Sequence, residues 1–103
     1  MEETKSKTKK KIYISGGISE SDFEESQIMF DNAQHDLEQD GYKVVNPLNH
    51  VPRSAIWEQR IVKHIELLFT CDAIYMLPNW KNSICAKIEH LIASERGMEV
   101  MFY

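Results

Sequence analysis

The amino-acid sequence predicts an α/β domain built on a small, doubly wound parallel sheet of four to five strands flanked by helices. Short apolar segments alternate along the chain with longer segments whose apolar residues recur at helical spacing, and this alternation is typical of a parallel sheet covered on both faces. The length of 103 residues suits a single domain. We therefore expect a flexible, lysine-rich tail at residues 1–11 and one flavodoxin- or Rossmann-like domain at residues 12–103.

The first two strands and the first helix are marked by clear boundaries. Residues 11–15 form an apolar strand that the Gly16-Gly17 pair ends. Ser19 and Ser21 offer N-caps to a helix over residues 22–40, which Gly41 stops. Residues 42–45 then read as the second strand, closed by Asn46-Pro47.

The second half of the chain repeats the alternation. After a loop over residues 48–53, Ser54 caps a helix that runs to about residue 69. A strand over residues 73–77 ends at Pro78, and residues 79–82 form a loop. Ser83 or Asn82 caps a helix to residue 96, and residues 99–102 form the last strand.

Charge and composition exclude several classes of protein. The net charge is −4, but the first eleven residues carry +3 and the remainder −7. An acidic body argues against binding of long nucleic acid, which needs clustered basic residues, although the lysine-rich start could alternatively be a nucleic-acid arm. No apolar run is long enough for a membrane span, no secretory signal opens the chain, and the two cysteines have no paired spacing. We expect a cytoplasmic protein without a metal site.

The strand ends predict where a ligand binds. In doubly wound sheets, ligands lie beyond the carboxyl ends of the strands, which here are residues 15–18, 46–49 and 78–83. Backbone amides of the Gly16-Gly17 turn can face a phosphate or sugar oxygen, and a plain tight turn is the equal alternative.

Glu89 is the most informative single residue. At 100° per residue it lies about 160° from Lys87 on the third helix, on the apolar side near Ala86 and Ala93. A carboxylate placed there needs a partner or a function; the alternative is a helix-edge residue that pairs with Arg96 or reaches water.

The other polar residues carry weaker signals. Ser83 is first a helix cap, although a phosphate could also settle beside it. Asp72 reads as a turn residue and Tyr13 as a core residue. Cys85 is interpreted as a packing residue, because nothing marks it as activated. The histidines show no metal-ligand spacing and are interpreted as surface or loop residues.

Together these segments resemble the nucleoside 2-deoxyribosyltransferase-like superfamily, in particular a branch of short domains of unknown function. The matching segments are residues 12–16, 44–47, 71–80, 82–83 and 89–90, with Ala86 between the last two. Their order and spacing agree over nearly the whole chain after residue 11. The chain is also similar in this respect to 2′-deoxynucleoside 5′-phosphate N-hydrolases.

The resemblance implies a covalent mechanism. Glu89 stands where the family's nucleophilic glutamate attacks the anomeric carbon of the sugar, and Asp72 matches an aspartate that orients the base or the proton transfer. Tyr13 matches a tyrosine near the nucleophile, and Ser83 a serine that contacts the 5′-phosphate. The residues expected to bind substrate are Ser15, Gly16, Gly17, Asn46, Pro47, Trp80 and Ser83.

The chain departs from the family pattern at two places. Gly17 stands where the family usually has proline, and residues 84–87 lack the usual glycine. Bulk at Cys85 could narrow the sugar pocket, so catalysis could be lost or altered while the fold is retained.

Three hypotheses follow for the function. The first is an N-glycosidase or 2-deoxyribosyltransferase acting on a nucleoside or nucleoside 5′-monophosphate. The second is a non-catalytic nucleotide-binding or sensor module on the same fold, and the third is a small interaction protein. The first two predict a small-molecule nucleoside or nucleotide partner and a homodimer or higher homo-oligomer, because family sites are completed across a dimer interface. No cofactor is implied.

Overall fold

The computed structural model describes residues 10–103, and it confirms the α/β prediction. Four strands form one all-parallel sheet in the order β2-β1-β3-β4. The strands are β1 (Lys11–Ser15), β2 (Lys43–Val45), β3 (Ala73–Met76) and β4 (Glu99–Phe102). Three helices connect them: α1 (Phe23–Gln39), α2 (Trp57–Leu68) and α3 (Ile84–Glu95). The expected tail at residues 1–11 lies mostly outside the described residues, since only Lys10 and Lys11 belong to them.

The two faces of the sheet follow from the alternation of side chains along β1. Ile12 and Ile14 point to one face, where they pack with Phe30, Ala33 and Leu37 of α1. The intervening position belongs to the other face of the sheet. Because successive residues alternate, the sequence of β1 determines which side chains meet which helix.

The opposite face is covered by α2 and α3. Tyr13 and Ile74 pack there with Leu68 of α2 and with Ala86 and Ala93 of α3. The small alanines let α3 lie close to the sheet. This close approach brings other residues of α3 to the end of β1.

The helix boundaries differ from the predicted ones by a few residues. Asp22, rather than Ser19 or Ser21, caps α1, and its carboxylate accepts a hydrogen bond of 3.3 Å from the Glu25 amide. Ser83, one of the two predicted caps, caps α3 by accepting from the Ala86 amide at 3.1 Å. Gly41 adopts φ +92° after α1, as a glycine stop requires.

The start of α2 was predicted too early. The segment after Pro52 forms a turn in which the Ala55 amide donates to the Pro52 carbonyl at 3.0 Å. The helix therefore begins at Trp57, three residues after the expected cap at Ser54. Short 3-10 helices also occupy Pro47–Asn49 and Trp80–Asn82, where loops were expected.

Two further expectations concern strand number and membranes. Over residues 10–103 the sheet has four strands, and no fifth strand joins it. Across the same residues, no helix is long and apolar enough to cross a membrane.

Candidate active site

A buried carboxylate lies where β1 ends against α3. The Glu89 side chain is held by two side chains of β1: the Ser15 hydroxyl donates to Oε1 at 2.7 Å, and the Tyr13 hydroxyl donates to Oε2 at 3.1 Å. Nδ1 of His64, on α2, lies 3.4 Å from Oε2. Glu89 and His64 are each 2% exposed. Burial of an acidic residue at this depth requires such partners, and three different elements supply this cluster.

The local sequence explains how the cluster forms. Tyr13 and Ser15 are two residues apart on one strand, so both point to the face covered by α2 and α3. On α2, His64 shares the buried stripe with Ile61 and Leu68, which are three and four residues away. Glu89 occupies the buried stripe of α3 with Ala86 and Ala93. The prediction from the helical wheel that Glu89 faces inward is confirmed.

The Tyr13 hydroxyl is a permanent donor in this cluster. Burial raises its pKa well above the usual value, and the negative charge of the neighbouring Glu89 raises the pKa further. Tyr13 therefore stays protonated at neutral pH and donates to the carboxylate. A tyrosine in this state orients the carboxylate but does not compete with it as a base.

A cavity of about 300 Å³ opens beside Glu89 and His64. Gly16 and Ile18 line it from the turn after β1, Trp57 and Arg60 from the start of α2, and residues 82–85 from the start of α3. This volume lies at the lower end of the ~300–1,000 Å³ range of small-molecule sites. The position, beyond the carboxyl end of β1, is the one that the parallel topology predicts.

Ser83 lies at the junction of this cavity and a second one. The second cavity has a volume of about 330 Å³ and is also lined by Gly17, Ser19 and Asn79. Ser83 lines both cavities while its hydroxyl caps α3. Ser83, which was predicted to bind substrate, therefore lines a cavity and also caps α3.

The glycine turn after β1 is packed tightly against the end of β3. A Cβ on Gly16 would lie 2.8 Å from the Leu77 side chain, so the close approach itself requires glycine here. The Gly17 amide donates to Oδ1 of Asn79 at 2.9 Å. These contacts favour the tight turn of the two interpretations, although Gly16 also lines the first cavity and Gly17 the second.

Arg60 brings a cation to the cavity wall. Its side chain is 12% exposed and forms an ion pair of 2.8 Å with Glu20, which follows the glycine turn. A second guanidinium nitrogen donates to the carbonyl oxygens of Arg53 and Ala55 at 3.3 and 3.1 Å. These contacts tie the start of α2 to the turn after β1, and both segments border the cavity.

Asp72 lies at the other end of the sheet. It is exposed and directly precedes β3, and its carboxylate accepts a hydrogen bond of 2.9 Å from the Lys11 amide. The structure therefore does not bring Asp72 together with Glu89. The contact with the backbone of β1 supports the interpretation of Asp72 as a turn residue.

Three other predicted binding residues also lie away from the cavity. Asn46 is buried, and its side-chain amide donates to Asp31 and Gln34 at 3.0 and 3.1 Å. Pro47, also buried, begins the 3-10 helix that Asn46 caps. Trp80 stacks on His90, with ring centroids 4.4 Å apart. Each of these side chains is used in packing within the fold.

Cys85 lines the cavity without the features of an activated nucleophile. Burial raises the pKa of its thiol, and the negative charge of Glu89 raises the pKa further. The thiol is therefore protonated at neutral pH, which agrees with its interpretation as a packing residue. Among the described residues, no three histidine, cysteine or acidic side chains are grouped so as to hold a metal ion.

Sequence reasoning did not single out Trp57, Arg60 or His64, and it named Asn79 only as part of the predicted ligand segment 78–83. The interpretation of the histidines as surface or loop residues is wrong for His64, which is buried. Its spacing from Ile61 and Leu68 was a signal that could have placed it on the inner face. Trp57 and Arg60 depend on where α2 begins, and the amide of Asn79 depends on a contact 62 residues away in sequence.

Comparison with known proteins identifies the family to which the chain belongs. A family model described as "Domain of unknown function (DUF4406)" matches residues 10–102. No curated protein and no solved structure matches the chain. The match covers all four strands, all three helices and every member of the Glu89 cluster.

Proposed function

The chain belongs to this family of domains of unknown function, and from its site we propose that it is an N-glycosidase or 2-deoxyribosyltransferase. Its substrate would be a nucleoside or nucleoside 5′-monophosphate, with Glu89 as the nucleophile. One observation carries the proposal: a carboxylate 2% exposed, held by hydroxyl donors, forms part of the wall of a cavity of about 300 Å³. The resemblance to the nucleoside 2-deoxyribosyltransferase-like superfamily, whose enzymes use a glutamate nucleophile at the matching position, supports this role for Glu89.

The proposed reaction has two steps. A Glu89 oxygen forms a bond to the anomeric carbon, the bond from that carbon to the base nitrogen breaks, and the base leaves with the electron pair and takes a proton from water. A water molecule then adds to the anomeric carbon, loses a proton to solvent and releases the sugar from Glu89. In a transferase, a second base takes the place of that water. Dividing the displacement in this way lowers each barrier.

The hydroxyl donors fit the second step in particular. When the ester breaks, negative charge returns to the Glu89 oxygens, and Ser15 and Tyr13 are already positioned to stabilise it. Because the pKa of Tyr13 is raised well above its usual value, its hydroxyl stays protonated at neutral pH and can donate a hydrogen bond to Glu89. These donors would make Glu89 a better leaving group.

The phosphate side of the substrate would face the start of α3. Free amides at a helix N-terminus favour an anion, and Ser83 lies there at the cavity wall. Arg60 adds a positive charge to the same cavity, partly neutralised by Glu20. These features support a 5′-monophosphate over an uncharged nucleoside.

The test measures release of free base. Purified protein is incubated with a panel of nucleosides, deoxynucleosides and their 5′-monophosphates, and free base is followed by chromatography. We expect release by the wild type and by Glu95→Gln, but not by Glu89→Gln. Glu95 is the matched control, since it is an exposed glutamate on the same helix. Release that survives in Glu89→Gln would remove Glu89 from the mechanism.

A non-catalytic nucleotide-binding or sensor module is the second candidate. It is favoured by the presence of Ile84 and Cys85 in the cavity wall, in a segment where the nucleoside 2-deoxyribosyltransferase-like enzymes usually carry a glycine. The engagement of both Glu89 oxygens favours it as well. This candidate predicts saturable binding of a nucleotide by calorimetry, with the ligand recovered unchanged. Conversion of the ligand to free base would exclude it.

A homodimer is part of the proposal. Trp57 and Ile84 line the cavity yet are 49% and 67% exposed, so a second copy of the chain that covered them would also enclose the ligand. A domain of this size additionally gains buried apolar surface by pairing. Light scattering coupled to size-exclusion chromatography should give twice the chain mass of 12.0 kDa; a monomer at all concentrations would contradict this part.

A further inference from the structure

His64 is a buried titratable residue that the proposed mechanism does not yet use. It is 2% exposed, it lines the cavity, and its Nδ1 lies 3.4 Å from Oε2 of Glu89. Its other nitrogen, Nε2, is buried and has no hydrogen-bond partner among the described residues. Buried polar nitrogens nearly always have a hydrogen-bond partner. The unpartnered Nε2 of His64 therefore calls for an explanation.

The two nitrogens differ in what surrounds them. A carboxylate oxygen accepts hydrogen bonds, so the nitrogen facing Glu89 must carry the proton. A proton on Nε2 would create a buried donor with no acceptor among the described residues, which is unfavourable. The arrangement therefore favours the tautomer with hydrogen on Nδ1 and a lone pair on Nε2.

The contact from His64 also differs in direction from the other two. Tyr13 and Ser15 both belong to β1, whereas His64 belongs to α2. The two hydroxyl donors hold Glu89 against β1 only. A third contact, from an element that itself lines the cavity, ties the orientation of Glu89 to the position of the ligand.

We propose that His64 is a positioning residue for Glu89: through its Nδ1–H it holds the carboxylate in the orientation needed for attack. This inference rests on the proposed function for its kinetic part only. Loss of an orienting partner of this kind typically costs about 10- to 100-fold in activity. Since His64 acts through Glu89, the loss should appear in kcat, while KM changes little.

Two substitutions separate orientation from packing. The side-chain nitrogen of asparagine can occupy the place of Nδ1, whereas that of glutamine reaches the place of Nε2. We expect His64→Asn to retain kcat within about threefold of the wild type, and His64→Gln to lose about 10- to 100-fold. Equal kcat in both variants, whether high or low, would overturn the positioning role. Thermal unfolding of each variant identifies a loss that comes from misfolding.

The matched control is His90→Asn. His90 neighbours Glu89 on α3, but its ring stacks on Trp80 with centroids 4.4 Å apart. The control should leave kcat within about threefold of the wild type. A loss in His90→Asn as large as that in His64→Gln would overturn a role specific to His64.

A second readout does not require activity. Nitrogen-15 NMR of the imidazole distinguishes a protonated from an unprotonated ring nitrogen, and the variant His64→Asn identifies the His64 signals. At a pH where the ring is neutral we expect the Nδ1–H tautomer in the wild type, and a change in the tautomer ratio in Glu89→Gln. The Nε2–H tautomer in the wild type would overturn the inference. If no substrate is ever turned over, this result still stands or fails by itself, separately from the proposed function.

Discussion

At each end of the sheet a carboxylate accepts hydrogen bonds from β1, but the two carboxylates differ in burial and in the groups that donate to them. At the carboxyl end, Glu89 is buried and accepts hydrogen bonds from the side chains of Tyr13 and Ser15. At the amino end, Asp72 is exposed and accepts from the backbone amide of Lys11. Both contacts link β1 to a neighbouring element, and the first lies beside a cavity of about 300 Å³.

The contacts of Asp72 support strand pairing, whereas those of Glu89 do not. The contact of Asp72 with the backbone, together with an Asp72 amide that donates to the Lys11 carbonyl at 2.7 Å, extends the pairing of β1 with β3. The contacts of Glu89 use side chains that the fold could replace with apolar residues, at no loss of backbone pairing. Costly polar burial without an architectural need indicates function.

The largest expected effect separates the two carboxylates by activity. Glu89→Gln removes the proposed nucleophile and should lower base release by about 10³-fold or more. Asp72→Asn keeps a side-chain acceptor for the Lys11 amide and should change base release by less than about threefold. The measurement is the initial rate on one substrate at saturating concentration. A loss in Asp72→Asn as large as that in Glu89→Gln would return Asp72 to the catalytic role that the family resemblance implies.

A smaller effect concerns stability at alkaline pH. The pKa of Tyr13 is raised in the folded protein, first by burial and then by Glu89, so above pH ~10 the unfolded chain loses a proton that the fold retains. The folded state then binds more protons than the unfolded state, and stability falls by about 1.4 kcal/mol per pH unit from this group.

Tyr13→Phe isolates that contribution. The variant lacks the hydroxyl and should be less stable than the wild type at pH 7, because a buried hydrogen bond to Glu89 is lost. The gap between the two proteins should narrow as the pH rises above ~10. Urea unfolding at a series of pH values measures both. A gap that stays constant up to pH ~11 would contradict the burial of Tyr13 beside a negative charge.

The smallest effect compares the two thiols. Burial raises the pKa of both Cys71 and Cys85, and Glu89 raises only that of Cys85. Glu89→Gln should therefore speed alkylation of Cys85 at pH 8 by a few-fold (on the order of 2–5) through a larger thiolate fraction. Cys71 is the internal control, and its alkylation rate should not change. Peptide mass spectrometry after timed iodoacetamide treatment follows both thiols, and equal acceleration of the two would point to general loosening.

Much of this arrangement could be predicted from the sequence. The strand and helix order follows from alternating periodicity, and the inward position of Glu89 follows from its place among small residues on α3. The position of Asp72 was also predictable: it precedes β3, and the starts of parallel strands lie at the edge opposite to their carboxyl ends. The catalytic role that the family resemblance implies for Asp72 stays a prediction.

The remaining site residues depend on long-range folding. His64 was interpreted as a surface or loop residue because the histidines show no metal-ligand spacing. Its partner Glu89 on α3 lies 25 residues further along the chain. Trp57 and Arg60 line the cavity from the start of α2, which follows the turn after Pro52. The local capping signal at Ser54 did not mark the start of α2, so the rim of the cavity was less predictable than its buried carboxylate.

The most direct test of the account asks whether Glu89 becomes covalently glycosylated. The protein is mixed with a nucleoside 5′-monophosphate that it hydrolyses, quenched in acid within milliseconds to seconds, and analysed by intact and peptide mass spectrometry. The account predicts a transient sugar-phosphate adduct in the wild type that maps to Glu89 and is missing in Glu89→Gln. Base release with an adduct on a different residue would contradict the assignment of Glu89 as the nucleophile.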